Sequence, residues 1–188
     1  MGEEAQTVEY IQRYVQSGFY TPDEVERIVG QDVFDGKLNA KWLRTAIEQA
    51  YSQKRAEEAM WPTETDCDRL DAVFETLERR GIIALQNAGY TQSDGLSDVS
   101  EVYNEAGGEE SEFDGYCFYH GQDLERVIES GNLYLGFGAA DGNDDKGAEI
   151  GHRIKGVFEA AGFTVEWNGS IKSRLLVTGI RWQRRGPE

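Results

Sequence analysis

Two polar segments hold the residues best suited to chemistry. Gln86-Asn87-Ala88-Gly89-Tyr90-Thr91-Gln92-Ser93-Asp94 follows one short apolar run, and His120-Gly121-Gln122-Asp123 follows another. Open α/β sheets place ligands at such strand ends. If the two segments are neighbours, Gln86, Asn87, Thr91, His120, Gln122 and Asp123 make one candidate ligand site. His120, one of 2 histidines, can titrate near neutral pH and serve as a general base. A hydrolase centred on His120 is therefore the enzymatic reading. A plainer account competes with it. Both segments lead into helices, and Ser93, Asp94 and Asp123 are residue types that cap helix N-termini. Cys117 stands three positions before His120, on the opposite face if both lie on one strand, so no thiolate–imidazole pair is expected.

A second constellation is electrostatic. Between Arg80 and Arg126 there is no lysine or arginine, whereas Asp94 to Glu125 contains 10 carboxylates. Asp94, Asp98, Glu101 and Glu105 recur at i, i+4, i+7 and i+11, which stacks them on one helical stripe. Leu96, Val99, Tyr103 and Ala106 fall on the opposite side, and the first three are expected to pack inward. The four carboxylates are expected in solvent, as a candidate face for a basic protein partner. The basic C-terminus, with Arg181, Arg184 and Arg185, could neutralise them within the chain instead.

Other motifs are weak. Asp141, Asn143 and Asp145 fit the first ligands of a calcium loop, but Lys146 and His152 stand where glycine and glutamate belong. A solvated loop is expected there. Gly136-Phe137-Gly138 is only a fragment of a dinucleotide fingerprint. The sequence thus points to no metal and no cofactor.

The 188 residues carry a net charge of −16, unevenly spread. Residues 61–115 hold 14 acids against 3 bases, and residues 171–188 hold 1 against 5. Such a field repels nucleic acid and anionic membrane surfaces. The N-terminal MGEEAQTVEY lacks the basic and apolar regions of a signal peptide. Gln6 stands where a myristoylation motif wants serine or threonine. No apolar run approaches the ~20 residues of a membrane span. With 2 cysteines, Cys67 and Cys117, the expectation is a cytoplasmic protein with free thiols.

These groups must be positioned by the following elements. Residues 1–60 read as a helical subdomain. Val8, Ile11, Tyr14 and Val15 form a helical stripe ending at Gly18. Thr21, Pro22 and Glu24 give a capping box for a short helix ending at Gly30. A longer helix follows over about 39–60, stopped before Pro62. Residues 61–188 read as an α/β domain. It opens with a helix to Arg80, then alternates strands near 82–85, 116–119, 133–137, 163–167 and 175–177 with helices over 94–106, 123–129 and 147–161. The fold class is α/β or α+β, a small mixed sheet of four to five strands layered with helices. Asn168-Gly169 resembles a two-residue hairpin turn, but that register would oppose Val165 with Lys172. One buried sheet face requires odd-with-odd pairing and a longer loop.

The segments LQNAGYTQSDG (residues 85–95), FYHGQDL (118–124) and WQRR (182–185) resemble a bacterial family of uncharacterised proteins, a domain of unknown function. The resemblance runs over roughly 61–185. It implies a bacterial, cytosolic protein and brings no catalytic residues with it. The leading functional expectation is an acidic, non-enzymatic binding protein of inhibitor or immunity type, with the hydrolase as its alternative.

Overall fold

A computed structural model describes residues 3–35 and 37–187. The chain divides into two compact units: residues up to Thr65 together with the stretch from Gln183, and Asp66–Trp182.

The first unit is helical. It contains α1 (Glu3–Ser17), α2 (Pro22–Arg27) and α3 (Ala40–Glu58). Thr21 caps α2 reciprocally with Glu24, whose carboxylate accepts from the Thr21 N–H at 2.7 Å. The chain does not stop at Gly30, as the glycine suggested. A π-helical turn, Ile28–Val33, carries it onward, and Leu43 would lie 3.0 Å from a Cβ at Gly30. That glycine serves close packing rather than termination. Ile11, Val15, Val25, Val29, Leu43, Ile47 and Tyr51 form the core. Lys54 is buried with them and donates at 2.8 Å to the Val15 carbonyl, which also accepts from the Gly18 N–H at 3.3 Å at the end of α1. Arg184 stacks over Phe19 at 4.5 Å and Arg185 donates to the Pro62 carbonyl at 2.7 Å.

The second unit is α+β. Its elements are α4 (Asp66–Arg79), β1 (Ile82–Leu85), α5 (Gln92–Glu105), β2 (Gly115–Phe118), α6 (Gly121–Ser130), β3 (Leu133–Ala139), α7 (Asp144–Ala160), β4 (Thr164–Glu166) and β5 (Leu175–Thr178). Among the described residues these five strands form one open mixed sheet, ordered β1-β2-β3-β5-β4. β1 and β2 are parallel and the remaining pairs antiparallel. Ile82, Ile83 and Ala84 are all buried, so both faces of β1 are covered, which accounts for its unbroken apolar run. The last hairpin pairs Val165 with Val177 and leaves residues 167–174 as a loop. That is the odd-with-odd register that a buried face demands.

The acidic helix α5 is rotated from its expected setting by roughly 40°, at about 100° per residue. Gly95 and Val99 are buried, but Leu96 is 38% exposed and Asp98 is half-buried. The cause is Gly95. A Cβ there would lie 2.3 Å from the Phe118 ring, so the helix presses its glycine against β2. Closest approach sits at the smallest residue and turns Leu96 outward. Ala106 is exposed as well.

Candidate functional site

The two polar segments run side by side at the C-terminal ends of β1 and β2. Backbone N–H groups of Ala88, Gly121 and Gln122 donate to the carbonyls of Tyr119, Gly89 and Tyr90 at 2.9, 3.0 and 3.2 Å. Asn87, at φ +52°, makes the left-handed turn that brings the first segment round. Gln86 is clamped, donating to Asp71 at 2.7 Å and accepting from the Tyr119 hydroxyl at 3.0 Å.

Both segments do cap helices, with Asp94 and Asp123 taking part from the third helical position and Ser93 not taking part. Thr91, rather than Ser93, is the N-cap of α5, and Asp94 completes the box, accepting from the Thr91 N–H at 2.9 Å and hydroxyl at 2.8 Å. Those bonds from Thr91 hold the Asp94 carboxyl below the usual carboxylate range. His120 does not lie on β2; it is the extended residue just before α6. Asp123 is the third residue of α6 and is not a solvated cap: its side chain is wholly buried.

Asp123 is the centre of an ionic cluster. Arg174 donates to Oδ1 at 3.0 Å and with its second nitrogen to Oδ2. Arg126 donates to Oδ1 at 3.0 Å. His120 gives its backbone N–H to Oδ2 at 3.3 Å, and its Nε2 stands 3.1 Å from the same oxygen. Both guanidinium groups flank the Tyr134 ring, at 5.2 and 5.7 Å. Burial pushes the His120 imidazole below its ordinary value; the Arg174 and Arg126 cations add to this, while Asp123 and Asp94 oppose it. The neutral ring then carries its proton on Nε2, facing Asp123, and leaves a lone pair on Nδ1. That atom is buried and without a partner. A carboxylate orienting a neutral imidazole is the geometry of a general base. Here the basic atom is sealed from solvent. The cluster therefore joins α6 to β3 and the start of β5 before it does anything else. Gln122 points into solvent.

Arg174, Arg126, Tyr134 and Asp71 were not foreseen as members of this region. Arg126 was readable as an i, i+3 partner of Asp123. Arg174 was not, because it lies 51 positions from Asp123 and arrives through strand order alone.

On the acidic stripe, Asp94, Glu101 and Glu105 are exposed and Asp98 is half-buried. Among the described residues Asp98, Glu101 and Glu105 make no ion pair. The calcium-like segment is an exposed turn that caps α7. Asn143 accepts from the Lys146 N–H at 3.0 Å, and the Lys146 ammonium pairs with Asp141. No cluster of metal-ligating side chains, and no helix long and apolar enough to cross a membrane, occurs among the described residues.

Fold and site together describe an α+β protein with a helical N-terminal unit and a buried ionic cluster at the ends of two parallel strands. The chain belongs to the family described as a domain of unknown function (DUF6891), which it matches over residues 2–186. The match thus takes in the N-terminal helices as well as the segments that carried the resemblance. Neither the curated proteins nor the solved structures gave a match.

Proposed function

We propose that this chain is a non-enzymatic interaction protein that meets a basic partner through the outer face of α5, in the manner of an inhibitor or immunity protein of a bacterial cytoplasm. One observation carries the reading: Asp98, Glu101 and Glu105 have no ion pair among the described residues. Of the arginines near the C-terminus, Arg184 lies over Phe19 and Arg185 donates to the Pro62 carbonyl. Like charges at i, i+4 cost a few tenths of a kcal/mol per pair, which a cationic surface would relieve. Complementary charge also accelerates encounter, by an amount that falls with salt.

The test is a double variant, Asp98→Lys with Glu101→Lys. Tagged wild-type chain, expressed in cells of its source, should retain a basic protein at low ionic strength and release it as salt rises. The variant should lose that protein while keeping its melting temperature. Recovery of the same partner by both forms would sink the proposal.

The hydrolase reading has one supporting observation, the unpartnered Nδ1 of His120. Its burial weighs against it. Under this reading His120→Gln would abolish ester or amide hydrolysis without unfolding the chain; full activity in that variant would end it.

A further inference from the structure

The sheet has a second end, away from His120, and a cavity of about 350 Å³ opens there. Tyr103 of α5 and Phe113, just before β2, line it together with Ile150, Glu149, Lys146 and Arg153 of α7; Asp114, Ala140 and Asp141 complete the rim. The size falls within the ~300–1,000 Å³ of ordinary ligand sites. Ile150 is buried, so part of the lining is apolar.

The charges on the rim are unequally satisfied. Arg153 is held by Asp114 at 2.6 Å and by the Arg80 carbonyl. Lys146 is held by Asp141. Both cations are thus already paired inside the chain. Three carboxylates face those two cations, and Glu149 is the one left over: its charge acts on Lys146, but it makes no ion pair among the described residues. The neighbouring turn adds Glu109, Glu110 and Glu112 with no lysine or arginine between Arg80 and Arg126. An anionic ligand would meet a net negative rim whose two cations, Lys146 and Arg153, are both already paired. A cationic one would meet an unpaired carboxylate beside two aromatic rings, whose faces attract positive charge.

We propose that this cavity binds an organic cation, an alkylammonium or guanidinium group on an apolar stem, with Glu149 taking the charge and Tyr103, Phe113 and Ile150 the stem. The chemistry is shared by a free amine and by a lysine side chain of another protein. This goes beyond the interaction reading above, because none of the residues Asp98, Glu101 and Glu105 lines the cavity.

Calorimetric titration of the full chain tests it. The probes are n-hexylammonium, N-acetyl-lysine amide, hexanol and hexanoate. Saturable binding of at least one cation is expected, with hexanol about tenfold weaker and hexanoate weaker still. Glu149→Gln should weaken the cation about tenfold and leave the melting temperature unchanged, since Glu149 is exposed. Tighter binding of the lysine amide would name a protein side chain as the source, and tighter binding of hexylammonium a free amine. The Asp98→Lys, Glu101→Lys variant should still bind the cation, which separates this site from the outer face of α5. Hexanoate binding as well as hexylammonium, cation binding untouched by Glu149→Gln, or no saturable binding of either cation would each overturn the proposal.

Discussion

Arg174 reaches Asp123 across 51 positions of chain and grips its carboxylate with both terminal nitrogens, Nη1 at 3.0 Å from Oδ1. The pair ties the first turn of α6 to the start of β5. Its guanidinium also donates to the Tyr134 carbonyl at 3.0 Å, so one side chain spans three elements.

Removing the carboxylate should be costly. Asp123 is wholly buried and balances Arg174, Arg126 and, through a hydrogen bond, His120. Asp123→Ala is expected to lower stability by about 1–3 kcal/mol, because it leaves the half-buried Arg174 and the more exposed Arg126 guanidinium groups without the acceptor they share. Arg174→Ala should cost less, since Arg126 and His120 would still serve the carboxylate. Urea midpoints for the two variants give the order; the reverse order would mean that Arg174 matters more for packing than for charge.

Stability should fall as the solution is acidified from neutral. The folded chain holds His120 below its ordinary value of 6.5, chiefly by burial. The unfolded chain therefore binds the proton first, and the contribution is full above pH about 6.5 and lost as pH drops toward the folded value. The lowered carboxylates, Asp66 and Asp94, start from 3.8 and act only at more acid pH. Urea unfolding between pH 7.5 and 5 should show the slope in wild type and a flatter one in His120→Gln. Equal slopes would remove His120 as the cause.

Two glycine-to-alanine changes should have opposite signs. At Gly95 a Cβ would meet the Phe118 ring at 2.3 and 2.6 Å. Overpacking of that kind costs about 1–3 kcal/mol and should outweigh the gain of about 1 kcal/mol in helix propensity. At Gly156, also helical, a Cβ meets nothing within 4 Å. Gly156→Ala should stabilise by about 0.5–1 kcal/mol. Melting temperatures of both variants decide the matter, and a rise for Gly95→Ala would show that α5 can shift away from β2.

Neither thiol should react in the native state. Cys67 and Cys117 are 1% and 0% exposed, and burial pushes the Cys117 thiol far up. A colorimetric disulfide reagent at neutral pH should titrate no thiol until denaturant is added. Prompt labelling of one equivalent would point to local opening around β2 or α4.

Much of this was legible from residue types alone. Thr21 with Glu24 is a capping box whose chemistry is local. The Val165–Val177 register followed from the need to bury one face. The adjacency of the Gln86 and His120 segments followed from strand–helix alternation. What depended on distance in sequence was not legible. The Asp123–Arg174 pair exists only because β5 lies beside β3. The setting of α5 was misjudged because the stripe was centred on its apolar side chains, whereas the helix docks by its glycine. Gly30 misled in a similar way, since a glycine that admits Leu43 looks in sequence like one that ends a helix.

The stretch from Gln183 also bears on how the molecule is made. Arg184 and Arg185 complete the helical unit that Glu3 begins, and the Arg184 carbonyl lies only 2.6 Å from where a Cβ at Gly18 would stand. On a ribosome the residues up to Thr65 therefore wait for the stretch from Gln183, which emerges only after the whole of Asp66–Trp182. The α+β unit can close while the helical unit still lacks Arg184 over Phe19, and a nascent chain halted at Trp182 would offer an incomplete helical unit to whatever chaperone or protease arrives first.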